Sequence, residues 1–318
     1  MFSLLKSTKK LVLTVAFASI MSTSAAVQAN YIDNSSEDYR MASNYEAVKI
    51  GTTNIKTTLM LGFSEYDRKD EYGNLCLRMI EALLNDDNIN FTNIVSYAIE
   101  KFPDRWQSYF WNGYYNETKF KFVDAINNYL EALKINPESW VINRNIGRAY
   151  MGKAILSAGQ VFREKNIDSP ERFLTMLILK DESYEAFVNR FTYESDIAHA
   201  YFTKAISIYE ADPVNTQANI EEVLDTYNKA AITTKNTDES LAYYNKVISY
   251  EGRTTFPWLK DGLDKVYIEA YAGAGNCYIK YGQYDKALLM YKQGCKLDKN
   301  SDLLKVLKRK IELARTKA

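Results

Sequence analysis

The side chains able to do chemistry are few, and their spacing does not suit it. The single histidine, His199, stands between Ala198 and Ala200; with no second histidine it cannot join a zinc site built on two imidazoles. Cys76, Cys277 and Cys295 are too few for a disulfide-built scaffold and read as buried small residues, although Cys277 and Cys295 fall on neighbouring expected helices that a bridge could join. The run Asp86, Asn88, Asn90 copies the first three alternate ligands of a calcium loop, but Phe91 replaces the glycine needed at the sixth place and Tyr97 the bidentate glutamate at the twelfth. It reads as a solvated turn between helices. Glu221 and Glu222 sit at an expected helix start, where negative charge meets the positive end of the helix dipole. No GxSxG elbow, GxxxxGK loop or GxGxxG fingerprint occurs. The expectation is no metal, no cofactor and no enzyme activity.

The elements that must position these residues are helices. Among 318 residues only 13 are Gly and 5 Pro, and Ala, Leu, Lys, Glu and Tyr are abundant. At the N-terminus, Lys6, Lys9 and Lys10 precede an apolar run from Leu11 to Met21 and a small, polar stretch from Ser22 to Ala29. That order is the pattern of a secretory leader, with Val27 and Ala29 supplying the small residues expected before a cut after Ala29. The run would rise only ~16 Å as a helix, about half a bilayer core, so no stable membrane insertion is expected once it is removed. Removal takes away three positive charges and no negative ones, turning a formal balance of +0 into −3. A chain of that charge gives no support to nucleic-acid binding. The expected location is outside the cytoplasm, periplasmic or secreted. Residues 30–71 read as a polar segment followed by a helical preamble.

Internal periodicity organises the rest. From Trp106 to Glu138 the chain reads WQSYFWNGYYNETKFKFVDAINNYLEALKINPE, and from Ile268 to Asn300 it reads IEAYAGAGNCYIKYGQYDKALLMYKQGCKLDKN. Gly113, Ala125 and Ala132 in the first, and Gly275, Ala287 and Gly294 in the second, occupy matching places, with Tyr129 and Tyr291 between the last two. Both segments resemble the tetratricopeptide repeat, a helix-turn-helix unit of about 34 residues. Two antiparallel helices approach closely only where both present small residues, and aromatic side chains then fill the wedge toward the next unit. A third unit begins at Trp140 with Ile146, Gly147 and Tyr150 in register, but offers Gly159, Arg163 and Asn166 in its second helix. A weaker one begins at Tyr72, with Leu75, Ala98 and Pro103. Two degenerate units centre on Ala198, Phe202 and Ala205, and on Leu224, Tyr227, Ala231 and Tyr244.

The resemblance implies an all-α fold, a right-handed α-solenoid of such units over 72–301, near 72–105, 106–139, 140–173, 179–220, 221–254 and 268–301. Leu303, Leu304, Leu307 and Ile311 mark 302–318 as a capping helix. Gly275 is expected at a helix contact and Gly262 in a connection. In this family the first helices line a concave groove through their second, fifth, ninth, twelfth and thirteenth positions. Here these include Phe110, Tyr114, Arg144, Arg148 and Met151, a set suited to an extended peptide with carboxylates. The family's clamp for a chain-terminal carboxylate is absent, because Phe110, Tyr114 and Val141 stand where Lys, Asn and Lys are needed. Replacing Arg144 and Arg148 by alanine should then weaken partner binding and spare the fold. The implied function is a protein-protein interaction scaffold or adaptor in the periplasm or cell envelope, with other proteins or peptides as partners. Two further functions fit the composition. Carbohydrate or cell-wall binding would use the faces of 25 Tyr and 4 Trp; a secreted enzyme would need a site between 175 and 252, where the spacing leads us to expect no converging titratable groups.

Overall fold

The computed structural model describes residues 70–164, 182–211, 220–253 and 260–316. The leader and the expected preamble up to residue 69 lie outside them. The fold is all-α: the described residues form eleven helices and no strand. These are α1 (Glu71–Leu84), α2 (Asn88–Lys101), α3 (Trp106–Thr118), α4 (Phe122–Ile135), α5 (Trp140–Glu164), α6 (Glu182–Ala211), α7 (Ile220–Thr233), α8 (Thr237–Ile248), α9 (Lys260–Lys280), α10 (Tyr284–Leu297) and α11 (Asp302–Arg315). None is long and apolar enough to cross a membrane. The chain divides into two compact units, residues 1–208 and 209–318.

In the first unit the helices are set by local signals. Asp70 caps α1 by accepting from the Gly73 N–H at 3.0 Å, and Asp87 caps α2 by accepting from the Asn90 N–H at 3.1 Å. The calcium-like run is therefore the turn between α1 and α2, with Asn88 Nδ2 donating to the Asp86 carbonyl at 3.0 Å. Asp86 has φ 51° and Phe120, at the equivalent point between α3 and α4, has φ 60°. Gly282 holds the same place before α10 with φ 69°, the left-handed conformation that glycine adopts without steric cost. A recurring turn geometry is thus met by three residue types.

The small residues do what their spacing predicts. A Cβ on Gly113 would lie 2.6 Å from the Tyr129 ring, so α3 and α4 meet across a glycine and a fully buried aromatic. Asn112 Nδ2 donates to Asn128 Oδ1 at 2.9 Å along the same seam.

The middle of the chain departs from the sequence expectation. Gly147 of α5 faces the Phe202 ring, 2.8 Å from its would-be Cβ, and the Ala198 carbonyl, both on α6. The Tyr150 and Tyr201 rings stack at 6.0 Å, and Lys153 pairs with Glu194 at 3.6 Å. Ala198, Phe202 and Ala205 therefore take the part in this pair that Ala125, Tyr129 and Ala132 take in α4. Units expected at 140–173 and 179–220 are two halves of one helix pair, both helices lengthened and separated by an insertion. A glycine in the first helix needs an aromatic side chain flanked by small residues opposite it, and Phe202 provides that, whereas Arg163 does not.

In the second unit α7 pairs with α8, α9 with α10, and α11 packs on α9 and α10. Leu304, Leu307 and Ile311 of α11 are buried, while Leu303 is exposed. Leu307 lies against Gly275 and Leu304 against Gly294, so the last helix closes on the small residues of the pair before it. Gly262, expected in a connection, lies instead on α9, where a Cβ would come 2.5 Å from the Glu221 carboxylate of α7. Gly262→Leu is accordingly expected to destabilise by ~1–3 kcal/mol, as much as Gly275→Leu, since both overpack a helix contact. A urea titration showing no loss for Gly262→Leu would contradict this placement.

Candidate functional site

Phe110 and Tyr114 lie on α3, and Arg144, Arg148 and Met151 on α5. All five are buried, between 1% and 7% exposed. Phe110 stands edge-on to Trp106 and Trp111 and 5.5 Å from the Tyr129 ring, inside the core of the first unit. Tyr114 packs against Trp111 at 5.8 Å. Arg148 is held by an ion pair within the protein, its Nη2 lying 2.9 Å from Glu117 Oε1 of α3. Its Nη1 donates to Asn145 Oδ1 at 3.1 Å, and the Tyr129 hydroxyl donates to the other Glu117 oxygen at 2.8 Å. The structure thus joins α3, α4 and α5 through one carboxylate. The expectation that the Arg148 charge is spare for a partner, and that its removal spares the fold, is corrected here: Glu117 already neutralises it.

Sequence reasoning missed Glu117, although a signal existed. It occupies an inner-face position of the unit before Arg148, and opposite charges at such facing positions are candidates for pairing.

The second unit repeats the arrangement with different residues. On α7, Asp225 and Lys229 are one turn apart and pair at 3.2 Å; Lys229 also reaches Glu269 of α9 at 3.3 Å. The Lys229 side chain is only 3% exposed. Burial pushes its ammonium toward neutrality, but Asp225 and Glu269 outweigh this and hold its pKa above the ordinary lysine value. Glu269 moves up from the ordinary carboxylate value, because burial and the neighbouring Asp225 charge exceed what one shared lysine returns. Asn228, where a small residue would be expected, is fully buried and donates to the Val266 carbonyl at 2.8 Å. A hydrogen bond across the seam here replaces close approach of two small residues.

Beside this cluster a cavity of about 210 Å³ opens between the α7–α8 turn and α9, lined among others by Ile232, Lys235, Asn276, Cys277 and Lys280. Cys277 lies 3.6 Å from the Ser240 hydroxyl, and Cys76, Cys277 and Cys295 form no disulfide. Among the described residues no group of three or more His, Cys, Asp or Glu is placed to hold a metal ion. His199 lies on α6, partly buried, where its carbonyl accepts from Thr203.

The segment that bears Gly275, Tyr291 and Gly294, from Ile268 in α9 to Ser301 before α11, can be compared with known families. Residues 268–301 match the tetratricopeptide repeat. No curated protein matches the chain. The matched repeat carries its small residues against Leu304, Leu307 and Tyr271. The pair α3 and α4 also meets across a glycine, but there Gly113 faces the Tyr129 ring of its own partner helix, as Gly147 of α5 faces Phe202 of α6. Repeats of this type present an array of paired helices, an architecture suited to contact with other proteins.

Proposed function

We propose that this chain is an exported scaffold or adaptor that binds other polypeptides in the periplasm or cell envelope and carries out no chemistry of its own. The observation that carries the reading is the tetratricopeptide repeat at 268–301, set among helix pairs that also meet across glycine. The charged, apolar and small-residue order of the first 29 residues supports export. In this reading Phe110, Tyr114, Arg144, Arg148 and Met151 hold the inner wall of the array, and exposed inner-face side chains meet the partner. The five would touch a partner directly only if binding uncovered them.

Cross-linking in the native cell, followed by mass spectrometry and N-terminal sequencing of the recovered chain, tests both parts. The expected result is a reproducible polypeptide partner and a chain beginning at Asn30. An intact Met1 on protein from the cytosol would remove the export reading. Recovery on a glycan array with no polypeptide partner would replace the scaffold by carbohydrate binding.

A further inference from the structure

The positive charge of this chain is gathered at its end. From Tyr284 to Arg315, the span of α10 and α11, nine Lys or Arg stand against four Asp or Glu, although the whole chain has 40 of each. Three of the acids pair within this span: Asp285 with Arg315, Glu312 with Lys308 at 3.9 Å, and Asp302 with Lys305 at 2.8 Å. The fourth, Asp298, accepts from the Asn300 N–H at 2.8 Å. Lys292, Lys296, Lys299 and Arg309 are exposed and stand in no ion pair among the described residues.

Several of these cations share one surface. The helix α10 buries Ala287 and Gly294, the latter against Tyr271 of α9, and turns Asp285, Leu289, Lys292 and Lys296 outward at intervals of three or four residues. On α11, Lys308, Glu312 and Arg315 share a face by the same spacing, and the ion pair of Arg315 with Asp285 brings that face beside the outer face of α10. Lys292 and Lys296 are one turn apart, ~6 Å along the axis and inside the ~8 Å Debye length of physiological salt, so their fields add. Like charges at that spacing weaken a helix, and no carboxylate among the described residues offsets them. Between them and Lys286, Leu289 is 48% exposed. This surface lies on a second helix and the side of α11 next to it, away from the inner-face positions of the first helices.

A basic surface attracts anions, and its composition selects the kind. Seven of the nine cations from Tyr284 to Arg315 are lysines. A lysine ammonium is a hydrated point charge that suits a diffuse anionic surface, whereas paired recognition of a carboxylate or of guanine uses the planar arginine fork. The apolar side chain among them is an aliphatic leucine, which can enter a lipid surface and offers no ring on which a base could stack. We propose that Leu289, Lys292 and Lys296 of α10, with Lys308 and Arg315 of α11, bind the anionic phospholipid headgroups of a membrane surface, Leu289 reaching the acyl boundary. The lysines supply the attraction with no segment crossing the bilayer. No helix among the described residues is long and apolar enough to do so. The lipid surface stands apart from the scaffold reading and adds a place at which the array is held.

The test is co-sedimentation of the mature full-length chain with vesicles of phosphatidylcholine alone and of equal parts phosphatidylcholine and phosphatidylglycerol. Binding to the anionic vesicles alone is expected, and it should weaken as salt rises. Lys292→Gln combined with Lys296→Gln should weaken it about 25-fold, each lysine near an anionic surface contributing about fivefold. Leu289→Gln should weaken it about threefold, with the salt dependence kept. The double lysine variant should melt no lower than the parent, since it removes a like-charge pair. Lys134→Gln combined with Lys204→Gln takes the same charge from exposed ion pairs of the first unit and should leave binding as it was. Equal binding to both kinds of vesicle, or unchanged affinity in the variant of Lys292 and Lys296, overturns the lipid surface. Polyglutamate and a single-stranded oligonucleotide are run beside the vesicles. Capture of either one, lost in the same variant, with no binding to anionic vesicles would assign the surface to an acidic polypeptide or a nucleic acid and overturn the lipid ligand. A chain that cross-links to a polypeptide in cells but ignores anionic vesicles loses the lipid surface and keeps the scaffold reading; a chain that binds the vesicles and cross-links to no polypeptide does the reverse.

Discussion

Arg148→Ala is expected to lower stability by about 3–5 kcal/mol, because it leaves the Glu117 carboxylate buried without its cation. The ion pair at 2.9 Å joins side chains only 7% and 4% exposed, so water cannot replace the guanidinium. Tyr129, which donates to the same carboxylate and packs on Gly113, would lose the orientation of its partner. The loss should appear in a denaturant titration as a lowered midpoint with unchanged slope. Replacing both partners, Glu117→Gln with Arg148→Met, should recover much of it, since a buried pair costs more to break than to substitute. A loss below about 1 kcal/mol for Arg148→Ala would mean that Glu117 reaches solvent and that Arg148 is available to a ligand after all.

Lys229→Met should be comparably severe, about 3–5 kcal/mol at neutral pH, because one lysine serves both Asp225 and Glu269. Its pH dependence separates this cause from a simple packing defect. Without Lys229 the folded-state pKa values of Asp225 and Glu269 rise above their unfolded values. A carboxylate raised in that way contributes stability that is present below its unfolded pKa and is lost as pH rises through its folded pKa. The deficit of Lys229→Met relative to the parent should therefore shrink as pH falls from neutrality into the carboxylate range, where neutral acids can be buried at less cost. In the parent Glu269 already shows the same direction, since its pKa is raised by burial and by Asp225 despite Lys229. Lys229, with its own pKa raised, keeps its contribution until pH climbs above the ordinary lysine range. Thermal melts from pH 4 to 8 decide the matter: a deficit independent of pH would show that the two carboxylates are not what Lys229 neutralises.

The places where sequence reading failed share a cause. Ala198, Phe202 and Ala205 were legible as a small-aromatic-small pattern, but their partner Gly147 lies 51 positions before Ala198, whereas Gly113 lies 12 before Ala125. Spacing assigns partners only while the register is continuous, and an insertion between two helices breaks it without altering either helix. Gly262 was misplaced for a related reason. Glycine in a loop and glycine at a close helix contact look alike until the opposite residue, here Glu221, is known. The inner-face residues were located on the right helices, yet whether an aromatic or arginine at such a position faces solvent depends on what packs over it.

What the sequence by itself determined is the helical period, the turn at Asp86, and the small residues at which most of the helices cross. All of these follow from interactions within a few residues or within one continuous repeat, so local pattern suffices to read them. The tertiary structure alone decided that Gly147 pairs with Phe202, that Arg148 is neutralised by Glu117, and that Lys229 is shared by Asp225 and Glu269. Charge pairing and burial depend on distances across helices that sequence separation does not encode.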